Sequence, residues 1–399
     1  MNRGDSMQSD DLPLIGLRVL EFTHMVMGPS AGLVLADLGA DVTRIEPLGG
    51  DPTRQLTGSG AGYFAMYNRN KRSLCVNLKD PAGLAVARRI AGSADVVIEN
   101  FRPGTLERLG LGYETLRAGN PGLVYCSAKG FLGGPFEKRV ALDEVAQMMG
   151  GLAYMTGPPG RPLRAGASII DVTGGLFGVI AILAALRRRD ATGEGAHVKC
   201  SLFETTAFLV GQHIAQMAVT GQPAAPMPSR VSAWAIYDVF EAAGGEQLFV
   251  AVVSDSQWRA FCEEFGFEDF LADASLAGNN DRVAQRERIL PVVRAAFARI
   301  AREDLLTRLE AAGAAAAKIA KPEDLLADPH LNAAGGFVDV SLPNRTRARL
   351  PALPVEFDGA RPGLRRDLAA PGADSRSILE ESGLSGAEID ALFRAGTIG

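Results

Sequence analysis

The sequence predicts an α/β protein, with a large doubly wound domain of Rossmann type followed by a smaller α+β domain. Two observations carry this reading. Residues 17–22, 31–38 and 41–46 run extended, helical and extended again, and that alternation continues to about residue 201. Residues 221–229 then form a Gly/Pro/Ala/Ser stretch, beyond which short strands flank Gly244-Gly245 and amphipathic helices take over. At 399 residues the chain also exceeds what one compact core ordinarily organises. The expected partition is a loose tail at 1–12, the large domain at 13–220, a linker at 221–231, the small domain at 232–324, and a segment at 325–399 that crosses back.

The first strand, 17–22, runs out through Thr23 into Gly28-Pro29-Ser30, which opens a helix. Dinucleotide binders place three glycines in this turn. Here only Gly28 is present, which argues against NAD or FAD. Gly49-Gly50-Asp51-Pro52 marks a turn and 58–62 a flexible loop. After the basic segment 68–73 come a strand at 74–78, a helix at 82–91 and a strand at 96–99 that ends in Asn100-Phe101-Arg102-Pro103-Gly104. A further strand, 123–127, opens into Lys129-Gly130-Phe131. In a doubly wound sheet ligands bind beyond the carboxyl ends of the strands, so the exits at 23–29, 100–104 and 127–131 are expected to gather into a site.

A strand at 196–201 and one helix at 204–219 complete this region. Beyond the linker, 235–240 and 247–253 read as strands. The alanine run 311–317 has helix propensity, but Gly313 and the following Ile319 leave its assignment open. Pro343, Pro351 and Pro354 break the return segment into short extended pieces, and 375–396 reads as two short helices around Gly383, with Ser385 as a cap.

Composition narrows the function. With 47% hydrophobic and 22% charged residues, the chain has the make-up of a water-soluble globular protein. A net charge of −5, with basic clusters confined to 69–72 and 187–189, argues against a nucleic-acid surface. Cys75, Cys126, Cys200 and Cys262 stand singly, without CxxC or histidine at ligand spacing. The first three read as buried thiols, which points to a reducing compartment and no zinc site. The first dozen residues lack the apolar core of a signal peptide, and the apolar run 176–186 is too short to span a bilayer. A cytoplasmic location and no membrane partner are therefore expected.

One carboxylate stands out. Asp171 lies between the apolar lead-in Ile169-Ile170 and the pair Gly174-Gly175, just before the apolar helix at 176–186. Pattern alone favours a helix cap, in which the carboxylate accepts a backbone N–H. That placement also suits a nucleophile, because the helix dipole keeps the group ionised and oriented. His24, at the first strand exit, reads as structural.

Four segments resemble the family III CoA-transferases, a group that has acyl-CoA racemases as cousins. They are Glu21-Phe22-Thr23 through Gly28-Pro29, Asn68-Arg69-Asn70-Lys71-Arg72-Ser73, Glu99-Asn100-Phe101-Arg102-Pro103-Gly104, and Gly166 through Asp171. Asp328-Pro329-His330-Leu331 and the pattern at 379–396 extend the likeness along nearly the whole chain. The resemblance implies a Rossmann-like large domain completed by the C-terminal segment, a small domain on two linkers, and an interlocked homodimer. It implies that Asp171 is the nucleophile, forming an aspartyl anhydride and then an aspartyl-CoA thioester. Asp143 matches a second acidic position, with Glu144 beside it.

By the same resemblance Lys71, Arg72, Asn100, Phe101 and Arg108 would bind coenzyme A, which is a substrate here, with no prosthetic group and no metal. The partners implied are an acyl-CoA and a carboxylic acid. Racemases carry a histidine where this chain has Leu142, and a two-base proton transfer needs both bases. Val26 replaces the glutamine of formyl-CoA transferase, and 229–233 replaces its glycine-rich flap, which argues against formyl or oxalyl substrates. The sequence around 166–175 is similar to members using succinyl-CoA with dicarboxylates, for which Arg164 or Arg230 would hold the distal carboxylate. The alternatives are an acyl-CoA racemase or isomerase and a non-catalytic CoA-binding protein.

Overall fold

The computed structural model describes residue 7 and residues 9–342 and 346–399. Most of the expected N-terminal tail before residue 9, and the predicted chain-breaker Pro343, lie outside the described residues. The chain forms two compact units: one comprises the residues up to Pro228 together with Pro329–Gly399, the other Ser229–Asp328.

The first unit is built on six parallel strands. They are β1 (Arg18–Phe22), β2 (Asp41–Glu46), β3 (Lys71–Cys75), β4 (Val96–Glu99), β5 (Val124–Lys129) and β6 (Ala196–Ser201), in the order β3-β2-β1-β4-β5-β6. The order reverses between β1 and β4, which makes their carboxyl ends the topological switch point. Up to residue 220 the sheet is accompanied by α1 (Met27–Asp37), α2 (Tyr63–Tyr67), α3 (Pro81–Gly92), α4 (Thr105–Arg108), α5 (Tyr113–Gly119), α6 (Asp143–Met149), α7 (Leu152–Thr156), α8 (Ile169–Thr192), α9 (Leu202–Leu209) and α10 (Gly211–Thr220).

Both sheet faces are covered, as a parallel sheet requires. Val19, Val42, Ile98, Val124 and Cys126 pack with Leu35 of α1 and Val179 and Ile182 of α8. The alternate positions Leu20, Phe22, Leu74, Val97 and Tyr125 pack with Val86 and Ile90 of α3. Ile378, Leu379 and Ile389, from the C-terminal helices Ser375–Glu381 and Gly386–Arg394, and Ile398 beyond them belong to this second core. Ser385 caps the last helix by accepting the Glu388 N–H.

The local differences from the sequence reading have physical reasons. β3 begins at Lys71 rather than residue 74, because its charged residues find partners: Lys71 pairs with the buried Glu21, and Arg72 with the more exposed Asp41 and Glu381. α8 begins at Ile169 rather than residue 176, since Gly174-Gly175 stay helical where α1 crosses. At 24 residues α8 is long and apolar enough to cross a membrane, but Ile170, Val179, Ile182 and Ala185 are buried in the sheet's core. The expected single helix at 204–219 is two, divided at Val210.

In the second unit, β7 (Tyr237–Glu241), β8 (Gln247–Ala251) and β9 (Ala315–Lys318) form an antiparallel sheet. The alanine run therefore splits, with a helix ending at Ala311 and β9 following. Phe240, Phe261 and Phe297 form the centre of this unit's core. An antiparallel hairpin, β10 (Phe337–Ser341) and β11 (Arg347–Pro351), lies in the return segment of the first unit. All four cysteines are buried and free.

Candidate active site

The two strand exits at the switch point are tied together. Asn100, just past β4, accepts the His24 N–H at 3.0 Å and donates its amide to the His24 carbonyl at 2.8 Å. This holds the β1 exit with Met25 at φ 61°, uncommon for a residue other than glycine. The Met25 N–H donates to Thr53 Oγ1 at 3.2 Å. A Cβ on Gly28 would stand 2.6 Å from Thr23 Cγ2 and 3.0 Å from Asn100 Cγ, so this packing requires glycine. The His24 ring stacks on Phe101, centroid to centroid 5.4 Å. Burial pushes the His24 pKa down, which keeps the ring neutral near pH 7.

Two cavities meet at this platform. One, of about 820 Å³, lies beyond β1, β2 and β3 and is walled mainly by apolar groups such as Pro47, Leu48 and Leu78, with Lys79 among them. The other, of about 410 Å³, contains Asp171. His24, Met25 and Phe101 line both.

Asp171 sits in the first turn of α8, and its carboxylate accepts no hydrogen bond from any described residue. The cap reading is thus corrected: Asp171 is the third helical residue, and Ser168, at the capping position, makes no side-chain cap bond. The cap comes from another element. Asp143, first residue of α6, accepts the backbone N–H of Ile170 at 2.9 Å and of Asp171 at 3.1 Å. The expectation that the dipole keeps Asp171 readily ionised is also reversed. Burial, then the neighbouring Asp143 charge, push its pKa up to about 7, against the opposing pull of Arg164.

Arg164 is held by four acceptors. It pairs with Glu144 at 2.6 Å and Asp143 at 3.5 Å, and donates to the carbonyls of Ala165 and Ala167. Gln147 donates to Asp143 at 2.5 Å and accepts the Ala165 N–H at 2.8 Å. These contacts make Arg164 hold the loop before α8, while its side chain, a third exposed, lines the Asp171 cavity. Arg230 lies in the second unit.

A second helix start also opens on the Asp171 cavity. α1 begins at Met27 without a side-chain cap, and the Met27 and Gly28 amides have no acceptor among the described residues. Val26 and Met27 line the cavity. α1 reaches α8 because Gly175 has no side chain: a Cβ there would stand 2.7 Å from the Met27 carbonyl. Free amides at a helix start are suited to developing negative charge.

The structure brings Asp171, Asp143, Asn100 and Phe101 into one cavity, but places Lys71, Arg72 and Arg108 outside both. Lys71 is buried and donates to Glu21 at 2.9 Å and to the Pro29 carbonyl at 2.9 Å. Its pKa is pushed down to about 8 by burial, which Glu21 opposes. Arg72 is buried against Asp41 and Glu381, and Arg108 faces Thr105 on α4. Reading Lys71 and Arg72 as phosphate ligands is corrected by these internal pairs. The residues overlooked in the sequence are Lys79, Arg139 and Tyr63, while Lys129 lies in the 127–131 exit expected at the site, though no role was assigned to it. Lys129 bonds Glu99 at 2.6 Å and the Phe101 carbonyl at 2.7 Å, so it props the aromatic platform. Its place at the β5 exit was the available signal.

The model of CoA-transferase family III matches residues 14–375. The chain belongs to this family. The CoA-transferase is 35% identical over 347 residues to the succinate–glutarate CoA-transferase of Agrobacterium fabrum, covering 84% of this chain and 86% of the relative. It is 37% identical over 282 residues to the acetyl-CoA:oxalate CoA-transferase of Acetobacter aceti, covering 69% and 72%. Among solved structures, a CAIB/BAIF family protein from Brucella suis superposes with a TM-score of 0.81 at 32% identity, covering 93% of this chain and 99% of that one.

Proposed function

We propose that this CoA-transferase moves CoA from an acyl-CoA, succinyl-CoA being the leading donor, to a small dicarboxylate by covalent catalysis at Asp171. The observation that carries the reading is an unpartnered carboxylate in a cavity that shares a His24–Met25–Phe101 platform with a larger, mainly apolar cavity. The larger cavity suits the nucleotide and the smaller one the acyl group. The relative named for succinate and glutarate supports the substrate class.

In the first step an Asp171 oxygen attacks the thioester carbonyl. The C–S bond breaks and CoA leaves as thiolate, giving a mixed anhydride. The thiolate then attacks the aspartyl carbonyl of the anhydride, releasing the donor acid and forming the aspartyl-CoA thioester. The acceptor carboxylate attacks that thioester, expels the thiolate and forms a second anhydride. Finally the thiolate attacks the acceptor's acyl carbon, which frees Asp171. The amide of Met27, at the uncapped start of α1 on the Asp171 cavity, would stabilise the oxyanions. Water must be kept out, because the anhydrides hydrolyse.

A racemase is disfavoured by Leu142, which lines the Asp171 cavity, 60% exposed, where a second base would be needed. We also propose a homodimer. Phe208, Ile214, Met217 and Val219 of α9 and α10 are 46–85% exposed, an apolar surface that a second copy would cover. The test of function is hydroxylamine trapping followed by peptide mass spectrometry. A hydroxamate on Asp171 with succinyl-CoA, absent in Asp171→Ala, is the expected result. Full transfer without any modification of Asp171 would overturn the covalent route, and CoA binding without transfer would favour the non-catalytic alternative.

A further inference from the structure

We propose that Asp143 is a positioning residue that fixes and tunes the nucleophile by capping its helix from outside, and that it transfers no proton itself. The inference rests on the covalent reading of Asp171. Its basis is the geometry at the start of α8. One Asp143 oxygen holds the amides of Ile170 and Asp171, at 2.9 and 3.1 Å. The other faces Gln147 at 2.5 Å and Arg164 at 3.5 Å. Both oxygens are thus engaged by donors, and the residue is only 6% exposed. Asp143 lines the Asp171 cavity, but its oxygens are committed to these donors.

The bond to the Asp171 amide fixes the backbone of the residue whose carboxylate reacts. The same charge opposes ionisation of Asp171, so that the nucleophile is held in place and kept more basic than a free carboxylate. The titratable and charged groups around Asp171 are Asp143 and Glu144 of α6, Arg164 of the preceding loop, Tyr63 and Tyr67 of α2, His24 of the β1 exit, Arg102 past β4, Lys129 of β5, and Glu137 and Arg139 of the loop before α6. Arg164 opposes Asp143 electrostatically and also fixes it.

The variants that decide are Asp143→Asn and Asp143→Ala. Asparagine keeps an oxygen for the two helix amides, loses the charge, and turns an NH2 toward Gln147 and Arg164, whose side chains must shift aside. The expected result is kcat within about tenfold of wild type at pH 8, with the acid limb of the pH–rate profile moved to lower pH. Alanine also loses the cap, and kcat falls by about a hundredfold or more, while the Kd for CoA changes less than threefold. If Asp143 were a proton donor or acceptor, asparagine would be as inactive as alanine and one limb of the profile would vanish. A merely structural role would lower Tm in both variants without moving the profile. Either result overturns the proposal. Hydroxamate formation in the wild type is read in parallel: its absence refutes the covalent reading, whereas its presence with an inactive Asp143→Asn refutes the positioning role alone.

Discussion

Asn100 and His24 exchange two hydrogen bonds, the side-chain amide of one matching the backbone N–H and carbonyl of the other at 3.0 and 2.8 Å. The pair spans β1 and β4 at the switch point of the sheet, and so fixes the platform common to both cavities. Asn100→Ala leaves the His24 backbone unpaired and the Met25 conformation without its clamp. A loss of roughly 1–3 kcal/mol in stability follows from the unsatisfied groups. KM for the acyl-CoA should rise about tenfold, more than kcat falls. Steady-state kinetics with calorimetry tests this, and an unchanged KM would show that the clamp does not shape the binding surface.

Lys71 gives a sharper contrast, because sequence and structure assign it different work. Its ammonium group is buried on Glu21, so Lys71→Met removes one partner of a buried pair. Arg44 remains 3.5 Å from Glu21 and tempers the loss, which should still reach about 3 kcal/mol. The variant that stays folded at low temperature should bind CoA within about threefold of wild type. A tenfold or larger loss of CoA affinity, without loss of stability, would return Lys71 to the phosphate-binding role.

The sheet was legible because its strands are apolar runs divided by helix-period segments, and the site edge followed from where those strands end. Asn100 and Phe101 were legible because they stand at such an end, and Asp171 because a lone carboxylate interrupts an apolar run just before a glycine pair. What the sequence concealed was long-range pairing. Lys71 meets a carboxylate fifty residues away, and a run of charges with distant partners looks like a solvated loop. The α8 cap was hidden for the same reason, since Asp143 reaches amides 27 and 28 residues along the chain. Gly174-Gly175 looked like a break before the helix, whereas the missing side chains let α1 approach it.

The raised pKa of Asp171 predicts opposite effects of pH on rate and on stability. An unfolded aspartate titrates near 3.9, while the folded one is pushed up to about 7. Between those values the native state keeps a proton that the unfolded state has lost. Stability therefore falls as pH rises from about 4 to about 7, and this contribution is constant above that. The transfer rate rises about tenfold per pH unit below 7 and then levels, because the nucleophile must be ionised. Asp171→Asn abolishes transfer and should raise Tm by about 2–5 °C at pH 8 but not at pH 4. Calorimetry at both values decides this, and a Tm lowered equally at both would show that the carboxylate is stabilising.

Gly175 tests whether the approach of α1 to α8 matters for chemistry as well as for packing. A Cβ there would stand 2.7 Å from the Met27 carbonyl, backbone that cannot turn aside as a side chain can. Gly175→Ala must push α1 away from α8, and with it the free amide of Met27. The packing strain should cost about 1–3 kcal/mol. Withdrawing this oxyanion donor should lower kcat by about a hundredfold, with the Kd for CoA nearly unchanged. Gly174→Ala is the matched control: a Cβ there would meet the Met27 Cε at 2.8 Å, the flexible end of a side chain that can move. If both alanines reduce kcat equally, the separation of the helices is not what sets the rate. If only Gly175→Ala does so, the start of α1 works together with Asp171.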